Sequence, residues 1–534
     1  MKQRLYFIPF LLIGILLMAN CAKKGRPSGG PRDTIPPIIV RSVPENFTTN
    51  FNDTEIRIYF DEYIKLKNLV ENLIISPPMK YDPLITPLNT SKMLRIRILD
   101  TLADNTTYSI NFGKSIVDNN EENEFEFFKY VFSTGDYIDS LKVTGAIRDA
   151  RLRSAEFPVT VMLYEVNESF KDSTIYSEKP MYIAATRDSS NTFEITNVKE
   201  GKYLMVALKE KSNDYTFQPK SDKIGFLEDF ITLPTDSSYV TTIFKEIPDY
   251  KVARPALLSK YHIVFGYEGD PKYMDITPLS DLPDDFASTT LKDIEKDTLH
   301  YWFKPEITAD SLLFQIRSEA QIDTVEVRMK NLFADSLRVQ GYTIGTLIPR
   351  DTMSLKTTTP LENIDAEKIS IMDKDSANIP FTTRIHPETN HAQILFDRTE
   401  EQRYKVDLLP GALTDFYENI SDSLSYTIES RSNSDYGTIP LKIDNVKIFP
   451  LIVELVSEKY EVVDSVIMTE SMPISFNYVT PGNYYIRVIF DSNGNGRWDT
   501  GSFLERLQPE EIVYYPGKIE VLANWTLDTN FILD

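Results

Sequence analysis

Residues 193–203, Phe193-Glu194-Ile195-Thr196-Asn197-Val198-Lys199-Glu200-Gly201-Lys202-Tyr203, return as Ile474-Ser475-Phe476-Asn477-Tyr478-Val479-Thr480-Pro481-Gly482-Asn483-Tyr484, each position displaced by 281. In both runs apolar residues alternate up to a Gly-x-Tyr, and an alternating strand follows that ends in a polar loop. Alternation with a period of two is the mark of a half-buried strand, because successive side chains point to opposite faces. The pattern continues outward. Ile56, Ile58 and Phe60 alternate with Arg57 and Tyr59, and Leu94, Ile96 and Ile98 with Arg95 and Arg97. No stretch keeps 3.6-residue apolar spacing for more than two turns. Short strands separated by Asn, Asp, Gly and Pro imply an all-β chain of serial β-sandwich modules.

A chain of 534 residues has room for about three to five domains. Its 57 Lys+Arg against 79 Asp+Glu give a formal charge of −22, which repels phosphate backbones and argues against nucleic-acid binding. The balance of 42% hydrophobic and 25% charged residues is that of a globular chain. A single Cys excludes an intrachain disulfide or a thiolate cluster, and four His leave little for acid–base work near neutral pH.

Lys2 and Arg4 precede an apolar run from Leu5 to Met18, followed by Ala19-Asn20-Cys21. A basic start and a short apolar core read as a secretory signal peptide over 1–20, too short to span a bilayer comfortably. The placement of the only Cys resembles a bacterial lipobox, although Asn20 departs from the small residue usual before the Cys. That resemblance implies lipidation of Cys21 and anchoring of the mature chain to the outer-membrane bilayer. No Asp follows the Cys, and Lys23-Lys24-Gly25-Arg26 is not the acidic cluster of some exported lipoproteins, so periplasmic and cell-surface faces both stay open. Residues 21–33 read as the lipidated Cys and a flexible Gly/Pro/Lys-rich tether. No second apolar run is long enough to cross a membrane.

Residues 34–136 carry Asp33-Thr34-Ile35-Pro36-Pro37, Phe60-Asp61-Glu62, Asn105-Thr106-Thr107-Tyr108-Ser109-Ile110, Ile116-Val117-Asp118-Asn119-Asn120-Glu121 and Val131-Phe132-Ser133-Thr134-Gly135. This pattern resembles the bacterial Ig-like domain of the SbsA type, and with the tether it resembles Ig-like-domain lipoproteins common in Bacteroidota. Tyr108 is placed to form a tyrosine corner, and Asp118 to close a turn through side-chain-to-backbone bonds. The Phe60-Asp61-Glu62 acids read as a solvated strand end. The two Gly-x-Tyr runs resemble the prealbumin-like sandwich of carboxypeptidase regulatory and collagen-adhesin B-type domains, so 138–249 and 438–534 read as two copies of one fold. Arg403-Tyr404-x-Val406 and Thr414-Asp415-Phe416-Tyr417-Glu418-Asn419 echo the first module and mark 346–437 as Ig-like. Residues 250–345 alternate without a sharp match.

One local constellation suggests a ligand. Asp491, Asn493, Asn495 and Asp499 occupy positions 1, 3, 5 and 9 of a nine-residue loop, with Gly496 at position 6 and the Arg497 carbonyl as a further oxygen. This is the front half of a calcium loop, lacking the acid at position 12, where Ser502 stands. The alternative is an Asx-rich hairpin loop bonded to its own backbone. The counterpart Glu210-Lys211-Ser212-Asn213-Asp214-Tyr215 lacks the Gly and should not bind an ion. No nucleophile elbow, His-Glu-x-x-His or phosphate loop occurs. His386 and His391 read as surface residues, and Trp302 as a core or interdomain anchor.

The expected function is therefore non-enzymatic: an outer-membrane lipoprotein acting as a scaffold or adaptor that binds envelope proteins. The family resemblance adds a setting, an accessory subunit of outer-membrane barrel assembly or secretion. An adhesin or glycan-binding surface protein is the alternative. A hydrolase would require a fold other than a small sandwich, with 250–345 the only place for it.

Overall fold

A computed structural model describes residues 33–186, 190–319 and 321–533. The expected signal peptide, Cys21 and all but the last residue of the tether lie outside the described residues. The regular secondary structure of the described residues is nearly all strand. No helix among the described residues is long and apolar enough to cross a membrane. By packing, the chain forms two compact units. One runs through Lys142 and includes Pro180–Ala184 and Ile195–Glu200; the other holds the remainder.

In the first module, Glu55–Leu66 is flanked by Ile39–Val43 and Ser91–Arg97, and the latter pairs with Leu84–Thr86. The far end of the long strand pairs with Ile116–Asp118. A second sheet orders Ile74–Ser76, Thr107–Asn111 and Lys129–Ser133. Alternation places Ile56 opposite Ile96 and Ile58 opposite Leu94, all fully buried. They pack with Ile110, Tyr130 and Phe132 in one core, and Phe51 lies 4.2 Å from Phe132 between ring centroids. The tyrosine corner forms: the Ala103 N–H donates to the Tyr108 hydroxyl at 2.9 Å. Asp118 accepts backbone N–H bonds from Asn120, Glu121, Glu122 and Asn123, closing its turn. Phe60-Asp61-Glu62 stands within Glu55–Leu66 rather than at the expected strand end, and Asp61 accepts from the Ile38 N–H.

The fourth module repeats this plan. Met353–Thr357 pairs with Val339–Thr343 and Ala392–Phe396, which continues to Phe381–Ile385. Leu361–Ile364 pairs with Leu413–Asp415, as the end of Glu55–Leu66 does with Ile116–Asp118. The facing sheet orders Ile369–Met372, Gln402–Leu408 and Leu424–Ser430. Its corner is Tyr404, whose hydroxyl accepts from the Thr399 N–H at 2.7 Å. Asp415 takes the N–H groups of Tyr417 and Asn419, as Asp118 does in the first module. Because Val339–Thr343 pairs inside this sheet, the boundary falls before residue 339, not at the expected 345. The loop composition there gave no marker for it.

The second and fifth modules share one topology. In the second, one sheet orders Tyr182–Ala185, Thr160–Glu165, Gly201–Lys209 and Lys223–Phe226, with Ile231–Leu233 also on Gly201–Lys209. In the fifth, Val462–Met468, Leu451–Ser457, Gly482–Phe490, Ile512–Tyr514 and Ile519–Val521 take the same places. The other sheet orders Thr192–Val198, Leu141–Asp149 and Ser238–Ile243 in the second, and Ile474–Val479, Gly437–Asp444 and Thr529–Ile532 in the fifth. In both, the module's first strand runs parallel to its last.

The third module is also a small sandwich. One sheet contains His262–Glu268 and Thr298–Lys304, the other Ser311–Ser318 between Met274–Pro278 and Ile322–Arg328. Phe265, Tyr301, Phe303 and Phe314 fill the space between them. The region that a hydrolase reading needed for a different fold thus has the same architecture as its neighbours.

Candidate functional site

The loop after Gly482–Phe490 gathers the residues that the sequence singled out. Asp491 is 1% exposed. Its Oδ1 accepts the N–H groups of Gly494 and Asn495 at 2.8 and 3.1 Å, and its Oδ2 that of Gly496 at 2.9 Å. The Asn493 and Asn495 carbonyl oxygens accept from the N–H groups of Asn495 and Arg497. Both Asn amides donate to Asp499 Oδ2 at 2.6 Å. The Arg497 side chain stands 3.8 Å from Asp499 Oδ1. Gly496 has φ +76°, which suits a residue without a Cβ. The four oxygen-bearing side chains therefore meet, but as a ring of hydrogen bonds rather than as oxygens converging on one point. As arranged they do not offer the six to eight oxygens that calcium takes. Among the described residues no group of three or more His, Cys, Asp or Glu side chains is placed to hold a metal ion. Glu510 braces the loop from outside, accepting from Ser492 and from the Asp499 N–H.

The loop opens a longer excursion, Asp491–Glu511, and that excursion docks on the second module. Phe503 is fully buried, edge-on to Phe226 at 5.3 Å between centroids, and its N–H donates to Glu246. Arg506 pairs with Asp172 and lies over Phe503 at 4.8 Å and over Phe226 and Phe230 at 5.8 and 5.7 Å. Thr500 donates to the Lys245 carbonyl at 2.6 Å and Gln508 to the Phe226 carbonyl at 3.2 Å. Burial pushes the Glu246 carboxyl above its ordinary value, an effect partly offset by the Phe503 N–H.

A second set of contacts rises from the sheet itself. Arg487, 1% exposed, bonds Glu454 at 2.6 Å and reaches the Tyr514 hydroxyl and the Arg151 carbonyl, each at 3.2 Å. Tyr514 also donates to the Arg151 carbonyl. Arg151 lies 5.2 Å from the Trp498 ring, and Arg153 lies 5.4 Å from that of Tyr485. A buried ion pair of this kind costs about 3–5 kcal/mol to break from one side. The sequence reading missed Arg487, Phe503 and Arg506. The one local signal was an Arg interrupting the apolar run Ile486-Arg487-Val488-Ile489.

Trp302 sits where an anchor was expected. It is 6% exposed and lies flat against His262 at 3.5 Å between ring centroids. His262 bonds His300 at 2.8 Å, and His300 in turn approaches Asp293 at 3.2 Å. Asp335 lies 3.8 Å from His262 and would favour its cation, yet burial and the neighbouring His300 prevail and hold the His262 pKa down to about 3. His391 is buried rather than on the surface as expected, and His386 is half-buried.

The family described as Bacterial Ig-like domain matches residues 33–134. No curated protein matches the chain. Among solved structures, the S-layer protein rSbsC is 10% identical over 91% of this chain and 67% of its own, with a TM-score of 0.16. The major pilin subunit of Bacillus cereus is 11% identical over 74% and 99%, with a TM-score of 0.15. An I-band fragment of titin is 11% identical over 53% and 99%, with a TM-score of 0.12. What this establishes is local: the first module of this all-β chain matches the bacterial Ig-like domain family.

Proposed function

We propose that this chain is a non-enzymatic cell-envelope protein, lipid-anchored through Cys21, whose sandwich modules form a scaffold for envelope proteins. The observation that carries this reading is the docking of the fifth module's Asp491–Glu511 excursion onto the second module. Residues 255 to 282 positions apart are fixed against one another, which suits a frame that holds surfaces in place. The polar side-chain bonds lie in corners, turns and docking contacts, and the interiors of the first, third, fourth and fifth modules are filled by their own side chains. Strand edges of such modules are natural sites for partner strands or loops. The outer-membrane setting and a role beside barrel assembly or secretion rest on the lipobox and Ig-like resemblances.

The test is affinity purification of the full chain from detergent-solubilised membranes, with a Cys21→Ser variant beside it. Stoichiometric recovery of envelope proteins, together with fatty-acid labelling lost in the variant, supports the scaffold. Unlabelled chain recovered from the soluble fraction without partners overturns it. Protease shaving of intact cells then decides between the two membrane faces.

A further inference from the structure

A cleft of about 410 Å³ lies among Leu291–His300 of the third module and Lys356–Pro360 and Thr389–His391 of the fourth. That is within the usual range of small-molecule pockets, roughly 300–1,000 Å³. Its charge is opposite to that of the chain. Lys292, Lys296, Arg338 and Lys356 line it, and among the described residues none of the four side chains has an ion-pair or hydrogen-bond partner. The lining acids are Asp293 and Glu295. Asp293 is already engaged by the N–H groups of Glu295 and Lys296 and by His300. In a protein of net charge −22, four cations gathered without partners around one concavity form a local positive field that attracts small anions.

His391 gives an independent indication. It lines the cleft and is only 5% exposed, yet its ring nitrogens have no hydrogen-bond partner among the described residues. Its one ring neighbour is Tyr342, 4.5 Å away between centroids. Burial, Lys356 and His386 together depress its pKa, and no acid offsets them. The ring nitrogens are not among the buried atoms left without a partner; they open onto the cleft, where they stand available to a ligand. The wall is partly apolar, through Ile294, Tyr342 and Pro360, which suits an organic body behind the charged head.

We infer that this cleft binds a small organic anion, its carboxylate or phosphate held by Lys356 and Arg338 and hydrogen-bonded by His391. The inference is independent of the scaffold reading. It is tested by calorimetric titration of the detergent-solubilised full chain with three probes: glucuronate, inorganic phosphate and, as the neutral control, glucose.

Saturable binding of glucuronate or phosphate, weakened by added salt, is expected, with no binding of glucose. Which of the two anions binds tells a carboxylate from a phosphate preference. The exposed double variant Lys356→Gln/Arg338→Gln should lose at least about tenfold in affinity, as removal of charge-assisted bonds does, with an unchanged melting temperature. His391→Gln, which keeps a donor, should lose less than His391→Phe. Failure of both anions to bind saturably, equal binding of glucose, or affinity untouched by the double variant overturns the inference.

Discussion

The second and fifth modules have the same strand order and the same parallel pairing of first and last strands, yet they treat the same loop in opposite ways. After Gly201–Lys209, the segment Glu210–Asp222 folds back on its own module: Phe217 is buried, and its N–H donates to the Ile175 carbonyl. After Gly482–Phe490, the longer Asp491–Glu511 leaves its module and places Phe503 against Phe226 of the other copy. The modules also exchange bulk at matched positions. Phe193 lies over Gly145, where an added Cβ would come within 2.6 Å of its ring. Its counterpart Ile474 stands opposite Leu441. One core places the large residue on one strand and the small one on its neighbour; the other uses two residues of middle size. A repeated topology therefore fixes neither the packing nor the partner of a loop.

The largest expected effect comes from the two aromatic plugs. Phe503→Ala and Phe217→Ala should each cost about 3–5 kcal/mol. Hydrogen exchange separates them. The first variant should expose residues 244–246 and 500–508 while the fifth module's sheets stay protected; the second should loosen the second module alone. Equal loss of protection throughout both modules in either variant would remove the distinction between them.

The bulk exchange comes next. Leu441→Ala should cost about 2–5 kcal/mol by leaving a cavity, and Gly145→Ala about 1–3 kcal/mol by overpacking. Denaturant titration measures both; the added Cβ would also run into the Tyr239 carbonyl oxygen, so a neutral Gly145→Ala would show that the neighbouring strand gives way as well as Phe193.

Calcium sharpens the loop comparison. With the polar groups of Asp491–Asp499 already bonded to one another, the melting temperature is expected to be the same in chelator and in calcium. A rise with calcium would mean that Asn493 and Asn495 turn their carbonyl oxygens inward, because a ligand of the native state must stabilise it by mass action.

The smallest effect concerns Glu246. Its docked carboxyl holds a proton more tightly than an exposed one. The native state then binds more protons than the unfolded state, so this group's contribution falls as pH rises through that range. Glu246→Gln keeps an acceptor for the Phe503 N–H and should flatten the slope of stability between pH 4 and pH 7 by about 1 kcal/mol or less. An unchanged slope would place the titration elsewhere.

Much of the fold was legible in the chain. Tyr108 and Tyr404, each a few residues past a turn, announced two corners, and Asp118 and Asp415 their two turns. The boundary before Val339 was not legible, because that strand's partner Met353–Thr357 lies across a loop with no distinguishing composition. In the site, the loop residues were found, and a loop bonded to its own backbone was one of the two readings; the side-chain bonds from Asn493 and Asn495 to Asp499 were not foreseen. Nor could His391 be recognised as buried: its neighbours Asn390 and Thr389 are polar, and its cover comes from Tyr342 on a different strand.

The sequence by itself determined the strands, the turns and the doubling of one module, because side-chain alternation and turn chemistry act between residues a few places apart. Only the tertiary structure decided that Arg487 and Phe503 face the second module and that four unpaired cations share one cleft with His391. Those arrangements join residues tens to hundreds of positions apart, and no periodicity along a chain encodes which of its distant surfaces will meet.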